Sequence, residues 1–179
     1  MTVAAFVLGI IGAVLATGSL GWNIASFVLQ GARPKLTPVV GPNYGGGAFP
    51  IDATKDVRPF LRSVEAQLKA DAAERIIGVT VVNKGRADLR VTGWAFRGLP
   101  AGTVFLPPEV AGCPSVPCSI PPGDEQTFFT TLGRIRLVTA FNEAVGGGRP
   151  QRLVVTVTSG GKTCTSKPFF MPSITGDDD

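Results

Sequence analysis

The sequence predicts a mainly β protein, with an N-terminal transmembrane helix followed by a β-sandwich carrying one or two short helices. Three observations predict it. No charged side chain occurs between Thr2 and Ala32, and an uncharged apolar run of that length suits a membrane-spanning helix. Beyond it, IIGVTVVN at Ile76 to Asn83, LRVTGWAFR at Leu89 to Arg97 and LVVTVT at Leu153 to Thr158 carry the apolar content and alternation of strands. The chain also holds 23 Gly and 15 Pro among its 179 residues, and those residues supply turns between short strands. That length accommodates one membrane helix and one globular domain of about 145 residues.

The helix comes first. Val3 to Gly21 spans about 28 Å at the helical rise, close to the thickness of a bilayer core. Trp22 then falls where an interfacial aromatic belongs, and Arg33 and Lys35 follow on the same side. The helix is expected to continue through Gln30 until Gly31 and Pro34 end it. With basic residues only at its C-terminal end, the positive-inside rule places the globular domain in the cytoplasm. The first residues lack Lys and Arg and the apolar stretch is long, which favours a retained anchor over a cleaved signal. No Cys follows the helix as a lipoprotein would require, and the leader and acidic residue of type IV pilins are missing.

One face of this segment carries small or polar residues at alternating spacings of three and four: Thr2, Ala5, Gly9, Gly12, Ala16, Ser19, Asn23, Ser26 and Gln30. Small residues let a second helix approach closely in lipid, where apolar contact alone gives no net drive. Ala5, Gly9, Gly12, Ala16, Ser19, Asn23 and Ser26 are therefore read as a helix–helix interface. The partner would be a transmembrane helix of a second copy or of another protein. A competing row, Ala5, Gly9, Ala13, Thr17, Gly21 and Ala25, repeats every four residues and drifts around the helix.

Residues 33–56 read as one short juxtamembrane strand and a Gly/Pro-rich connector. Gly45 to Gly47 lack the Lys-Ser/Thr of a phosphate loop and so read as a loose turn. Val57, Leu61, Val64, Leu68 and Ala72 recur at helical spacing, predicting an amphipathic helix with Pro59 in its first turn. Strands are predicted at Ile76 to Asn83, Leu89 to Arg97, Thr103 to Leu106, Glu125 to Thr131, Leu153 to Thr158 and Thr163 to Phe170. Leu132, Ile135, Val138, Phe141 and Val145 suggest a second short helix stopped by Gly146 to Gly148. Gly160-Gly161 signals a two-residue hairpin, which would set Cys164 opposite Val157 and bury it with Leu153 and Val155. The resulting divisions are 1–32, 33–56, 57–172 and an acidic tail at 173–179 ending in Asp177 to Asp179.

The run VTVVNKGRADLRVTGW at Val79 to Trp94 resembles the paired strands of bacterial immunoglobulin-like sandwich domains. In those, an Asn-x-Gly turn follows an apolar strand and a large aromatic sits on the next one. PPGDEQTF at Pro121 to Phe128 is similar to their Pro-Gly turn. The arrangement resembles small, uncharacterised single-pass membrane proteins of high-GC Gram-positive bacteria. The resemblance covers residues 76–170 and implies an immunoglobulin-like sandwich with a binding or structural role and no catalytic residues.

Histidine is absent from the sequence, which removes Ser-His and Cys-His nucleophiles and most catalytic zinc sites. Cys113 and Cys118 bracket PSVP, a stiff loop that admits a local disulfide, and two further ligands for zinc are missing. Such a disulfide would favour the domain lying outside, against the charges at Arg33 and Lys35; a reduced loop agrees with the cytoplasm. Trp94 reads as a core aromatic, with carbohydrate stacking as the alternative. The net charge of +4 is spread over scattered basic residues such as Lys84, Arg86 and Arg90. A solvated basic surface and no nucleic-acid footprint is therefore expected, with weak attraction to anionic headgroups near the membrane as an intermediate alternative. These readings point to a membrane-anchored interaction or structural subunit without cofactor or catalytic site, whose β domain binds a protein partner. An envelope-facing module for cell-wall or surface components is the alternative, and a hydrolase using carboxylates alone is a third.

Overall fold

The computed structural model describes residues 2–44, 47–57, 59, 60, 63, 74–99, 104–107, 110–137 and 152–170. The chain is mainly β: one N-terminal apolar helix precedes two antiparallel sheets packed as a sandwich. Helix α1 runs Thr2–Leu29. The first sheet holds β1 (Pro34–Tyr44), β2 (Gly47–Ala48), β3 (Ile51–Asp52), β4 (Glu74–Asn83) and β8 (Glu125–Thr131). Its order is β2-β1-β4-β8, with β3 also paired to β1. The second holds β5 (Leu89–Leu99), β6 (Val104–Phe105), β7 (Cys118–Ile120), β9 (Arg152–Ser159), β10 (Lys162–Thr165) and β11 (Phe169–Phe170). Here the order is β10-β9-β5-β6, with β7 on β5 and β11 on β9.

Alternation explains the first sheet. Ile77, Val79 and Val81 of β4 face inward, and Phe128 of β8 lies opposite Val79 on the same face. The inner surfaces of the two sheets meet in one cluster that includes Val40, Val91, Phe96, Leu153, Val155, Val157 and Phe169. Residues 132–137 are helical, and Leu132 and Ile135 enter this core. That agrees with the first turns of the second predicted helix; its Val138, Phe141 and Val145 lie outside the described residues. Pro59, Phe60 and Ser63 are helical too, with Val57 buried in the core. Leu61, Val64, Leu68 and Ala72 of that predicted helix lie outside the described residues, as do residues 171–179.

The segment at 33–56 differs from the short strand and connector expected. β1 is 11 residues long and pairs with β4 from Pro34↔Asn83 to Asn43↔Glu74. Prolines ordinarily demote such a stretch, because each removes a ladder donor. Here Pro34, Pro38 and Pro42 share one parity. The Pro38 carbonyl accepts Ala53 N–H at 2.9 Å and the Pro42 carbonyl accepts Phe49 N–H at 3.1 Å, both on the side of β3 and β2. A residue's N–H and C=O point to the same edge of a strand, so all three missing donors face away from β4. The intervening residues carry the β4 ladder intact.

β5 explains how one strand feeds the core with two phases. Leu89 and Val91 are core residues, and so are Phe96 and, in part, Trp94. Strict alternation cannot place both pairs on one face. Val91 pairs with Ser159 and Gly93 with Thr158, leaving Thr92 as an extra residue in a bulge. The Thr92 hydroxyl donates to the Thr158 carbonyl at 3.1 Å and ties the bulge down.

The hairpin between β9 and β10 has the predicted register: Thr158↔Thr163 and Val157↔Cys164. Gly160 and Gly161 both have positive φ, 54° and 77°, the combination a type I′ turn demands. Cys164 shares the face of Val157 but is only half-buried, less than predicted. β10 is the sheet edge, so the core covers that position from one side.

Thr130 is a local flaw in this packing. Its side chain is fully buried on the core face, and its hydroxyl has no hydrogen-bond partner. A buried hydroxyl without a partner forfeits its hydration for nothing in return. Thr130→Val, nearly the same shape, should raise stability by about 1 kcal/mol; a higher urea midpoint in mild detergent is the expected result.

Candidate functional site

Two regions hold the residues singled out above: helix α1 with its exit into the domain, and the side of the sandwich where the Cys113–Cys118 loop lies. On α1, Ala5, Gly9, Gly12, Ala16, Ser19 and Asn23 are exposed, and Ser26 is half-buried. Nothing from the rest of the chain lies within 4 Å of a side chain added at Gly9 or Gly12. The apolar flanks are equally uncovered, with Phe6 69% and Leu15 69% exposed. Trp22 is 74% exposed near the C-terminal end of the span. In the four-residue row, the Thr17 hydroxyl donates to the Ala13 carbonyl at 2.8 Å, so its proton is already used within the helix.

The helix exit is held by a set of hydrogen bonds from the turn after β4. α1 ends at Leu29 and β1 begins at Pro34. The few residues between are held by the turn after β4. Asn83 is fully buried. Its amide nitrogen donates to the Ala87 carbonyl at 2.8 Å and the Ile120 carbonyl at 2.9 Å. Its amide oxygen accepts Gly85 N–H at 3.0 Å and Arg33 N–H at 3.4 Å. Lys84 N–H donates to the Arg33 carbonyl at 2.9 Å. Gly85 is required by close approach, since a Cβ there would collide with the backbone of Gly31, Ala32 and Arg33.

Sequence reasoning identified Arg33 and Lys35, both exposed where β1 starts, but missed Asn83, Lys84 and Arg86 beside them. The signal was the Asn-x-Gly within NKGR, read as a turn and not as a clamp. Only pairing of β1 with β4 brings residues fifty positions apart into one junction.

On the other region, β6 and β7 both pair with the edge of β5 that faces away from β9, at its far and near ends respectively. Between them lies a pocket of about 250 Å³ lined by Gly93, Trp94, Leu106, Pro107 and the loop Cys113 to Val116. Trp94 stands half-buried at this opening. Its ring meets Phe96 edge-on at 5.4 Å and Phe128 at 6.2 Å. It packs against the core as the sequence predicted, with one margin lining a pocket.

Cys113 and Cys118 are not joined by the disulfide that their spacing admits; both are half-buried where this loop closes on the core. Cys113 Sγ accepts the Phe129 N–H at 3.4 Å, which caps a donor on the edge strand β8. Burial pushes the Cys118 thiol above its ordinary pKa, and the neighbouring Cys113 pushes it further the same way.

No protein-family model matches this sequence, and no curated protein matches it. Among solved structures, the X-ray structure of Northeast Structural Genomics Consortium target SoR45 is similar at 14% sequence identity and a TM-score of 0.28. That match covers 79% of this chain and 86% of the other.

Two outcomes follow from these geometries. Asn83→Ala strands two N–H and two C=O groups and should destabilise the domain by roughly 3 kcal/mol; a urea titration in mild detergent measures it. Since only the thiolate reacts, alkylation of Cys118 should gain rate at higher pH than a free cysteine does. Mass-spectrometric rates across the alkaline range, compared with a cysteine peptide, report the difference.

Proposed function

We propose that this chain is a single-pass membrane subunit that associates through α1 and binds a protein partner through an immunoglobulin-like sandwich. The observation that carries this reading is the isolation of α1. The span Val3–Ser26 has 24 residues, a mean hydropathy of 2.2 and no burial against the domain. An apolar helix bare on every side loses free energy in water at about 25 cal/mol per Å², so lipid or other helices are its natural surroundings. A helix of that length is about 36 Å long and crosses a bilayer core with modest tilt.

The immunoglobulin-like assignment is supported by strand order. β1-β4-β8 against β10-β9-β5 reproduces the order A-B-E against G-F-C of that fold. β7 pairs with β5, where a constant-type domain would place a fourth strand beside β8. A role without catalysis is supported by the absence of histidine. Arg33 and Lys35 at the exit favour a cytoplasmic domain.

Association through the heptad stripe is the sharpest part of this reading. Gly12→Ile or Ala16→Ile should weaken self-association or partner association by about tenfold, while Ala13→Ile or Gly21→Ile should do less. The internal hydrogen bond of Thr17 further weakens the four-residue row as a contact face. An in-membrane association assay ranks the four variants, and the reverse ranking would move the interface to that row.

A second reading, an envelope-facing module, is supported by Cys113 and Cys118 flanking one short loop that packs on the core, where oxidation could join them. A membrane-impermeant thiol reagent applied to intact cells, with and without reductant, separates the two. Protection until lysis supports the cytoplasmic domain; labelling after reduction supports the envelope.

A further inference from the structure

We infer that the turn after β4 is a lipid-contacting element, which holds Lys84 and Arg86 against anionic phospholipid headgroups where α1 leaves the bilayer. The inference rests on the membrane reading of α1 and adds a partner for a surface of the domain. The sequence places Lys84 and Arg86 fifty positions from the helix and gives them no relation to it. The fold removes that distance.

The junction is short and fixed. Beyond Gln30, which is still bonded to the Ser26 carbonyl, residues 31–33 are clamped from three directions. Asn83 Oδ1 takes the Arg33 N–H, Lys84 N–H takes the Arg33 carbonyl, and Gly85 lies directly on the backbone of Gly31 to Arg33. A domain on a free linker could carry this turn anywhere. Held this way, the turn lies against the residues that follow the helix. Both neighbours of Gly85, Lys84 and Arg86, are exposed, as are Lys35 and Arg33 on the adjoining start of β1.

Acidic groups share this end of the sandwich: Asp88, Asp124 and Glu125 are exposed there. Glu125 sits opposite Val82, and Lys35 is opposite Val82 on its other side. Two strand spacings, about 10 Å, therefore separate Glu125 from Lys35. The acidic pair Asp124-Glu125 lies on the side of β4 away from β1. Asp88 in the turn after β4 accepts the Ser119 hydroxyl of β7 at 3.5 Å. Lys84 is bonded directly to Arg33 at the helix exit, so the charge joined to the exit is basic. Each such cation near an anionic surface gains about 1 kcal/mol, or fivefold in occupancy. A soluble phosphate compound could satisfy the same charges; continuity with the helix exit selects the lipid.

The test uses the full chain in vesicles of pure phosphatidylcholine and of phosphatidylcholine with phosphatidylglycerol, at low salt. Amine acylation of Lys84 is followed by mass spectrometry relative to Lys55, which is exposed and lies beyond the β1–β3 pairing at Val39↔Asp52, well along the sheet from the exit. The Lys84/Lys55 ratio should fall about fivefold on the anionic vesicles, recover at high salt, and fall much less in Arg86→Glu. Inorganic phosphate added to neutral vesicles should leave it unchanged. An equal ratio on both vesicles, or protection by phosphate alone, overturns the inference. Flotation after alkaline carbonate extraction tests the anchor separately. A chain that floats with an unchanged ratio sinks only the lipid contact, whereas one that does not float sinks both.

Discussion

Asn83 ends β4 with every hydrogen-bonding group it owns in use. Its backbone N–H reaches the Asp124 carbonyl and its carbonyl accepts Gly123 N–H, while its side chain makes the four bonds an amide can make. The partners belong to four places: the helix exit, the β4–β5 turn, the end of β7, and Gly123-Asp124 at the end of the Pro-Pro-Gly turn. Few side chains have two donors and two acceptor sites arranged to do this. Were this position apolar, each of those main-chain groups would need water at a site the fold has closed. Register between β1 and β4, the reversal into β5 and the seat of the helix all depend on one buried amide.

The rest of the sandwich is organised by how it manages its edges. β1 puts three prolines toward the same side, so their lost donors cost the β4 ladder nothing. β5 inserts one residue at Thr92 and thereby turns both Val91 and Trp94 inward. On the side where β5 and β8 would be left open, Cys113 covers a β8 donor and the loop before β7 covers Trp94. A sulfur acceptor and the loop before β7 thus cover a side that regular pairing leaves unfinished.

The helix has no such closure. Its described large side chains are exposed, and Gly31 to Arg33 beyond it lie against the turn after β4. The short, hydrogen-bonded junction between this apolar helix and the sandwich ties the helix exit to the turn after β4. If the helix spans a bilayer as proposed, that junction brings the charges around Lys84 to the membrane side of the sandwich.

Hydrophobic patterning by itself determined the mainly β class, the apolar span, most of the strands after residue 75 and the β9–β10 register. These are local consequences of side-chain alternation and of glycines that alone tolerate a type I′ turn. Even the bulge was implicit in LRVTGWAFR, whose two alternations are out of phase by one residue. Tertiary structure decided what no local rule contains. Whether prolines break a strand depends on which edge they face, and that depends on the partner strand. Whether Cys164 is buried depends on its strand being an edge. Whether Asn83 is a turn residue or the clamp of the molecule depends on Arg33 and Ile120, distant in sequence and brought to it only by the pairing of β1 with β4 and of β7 with β5.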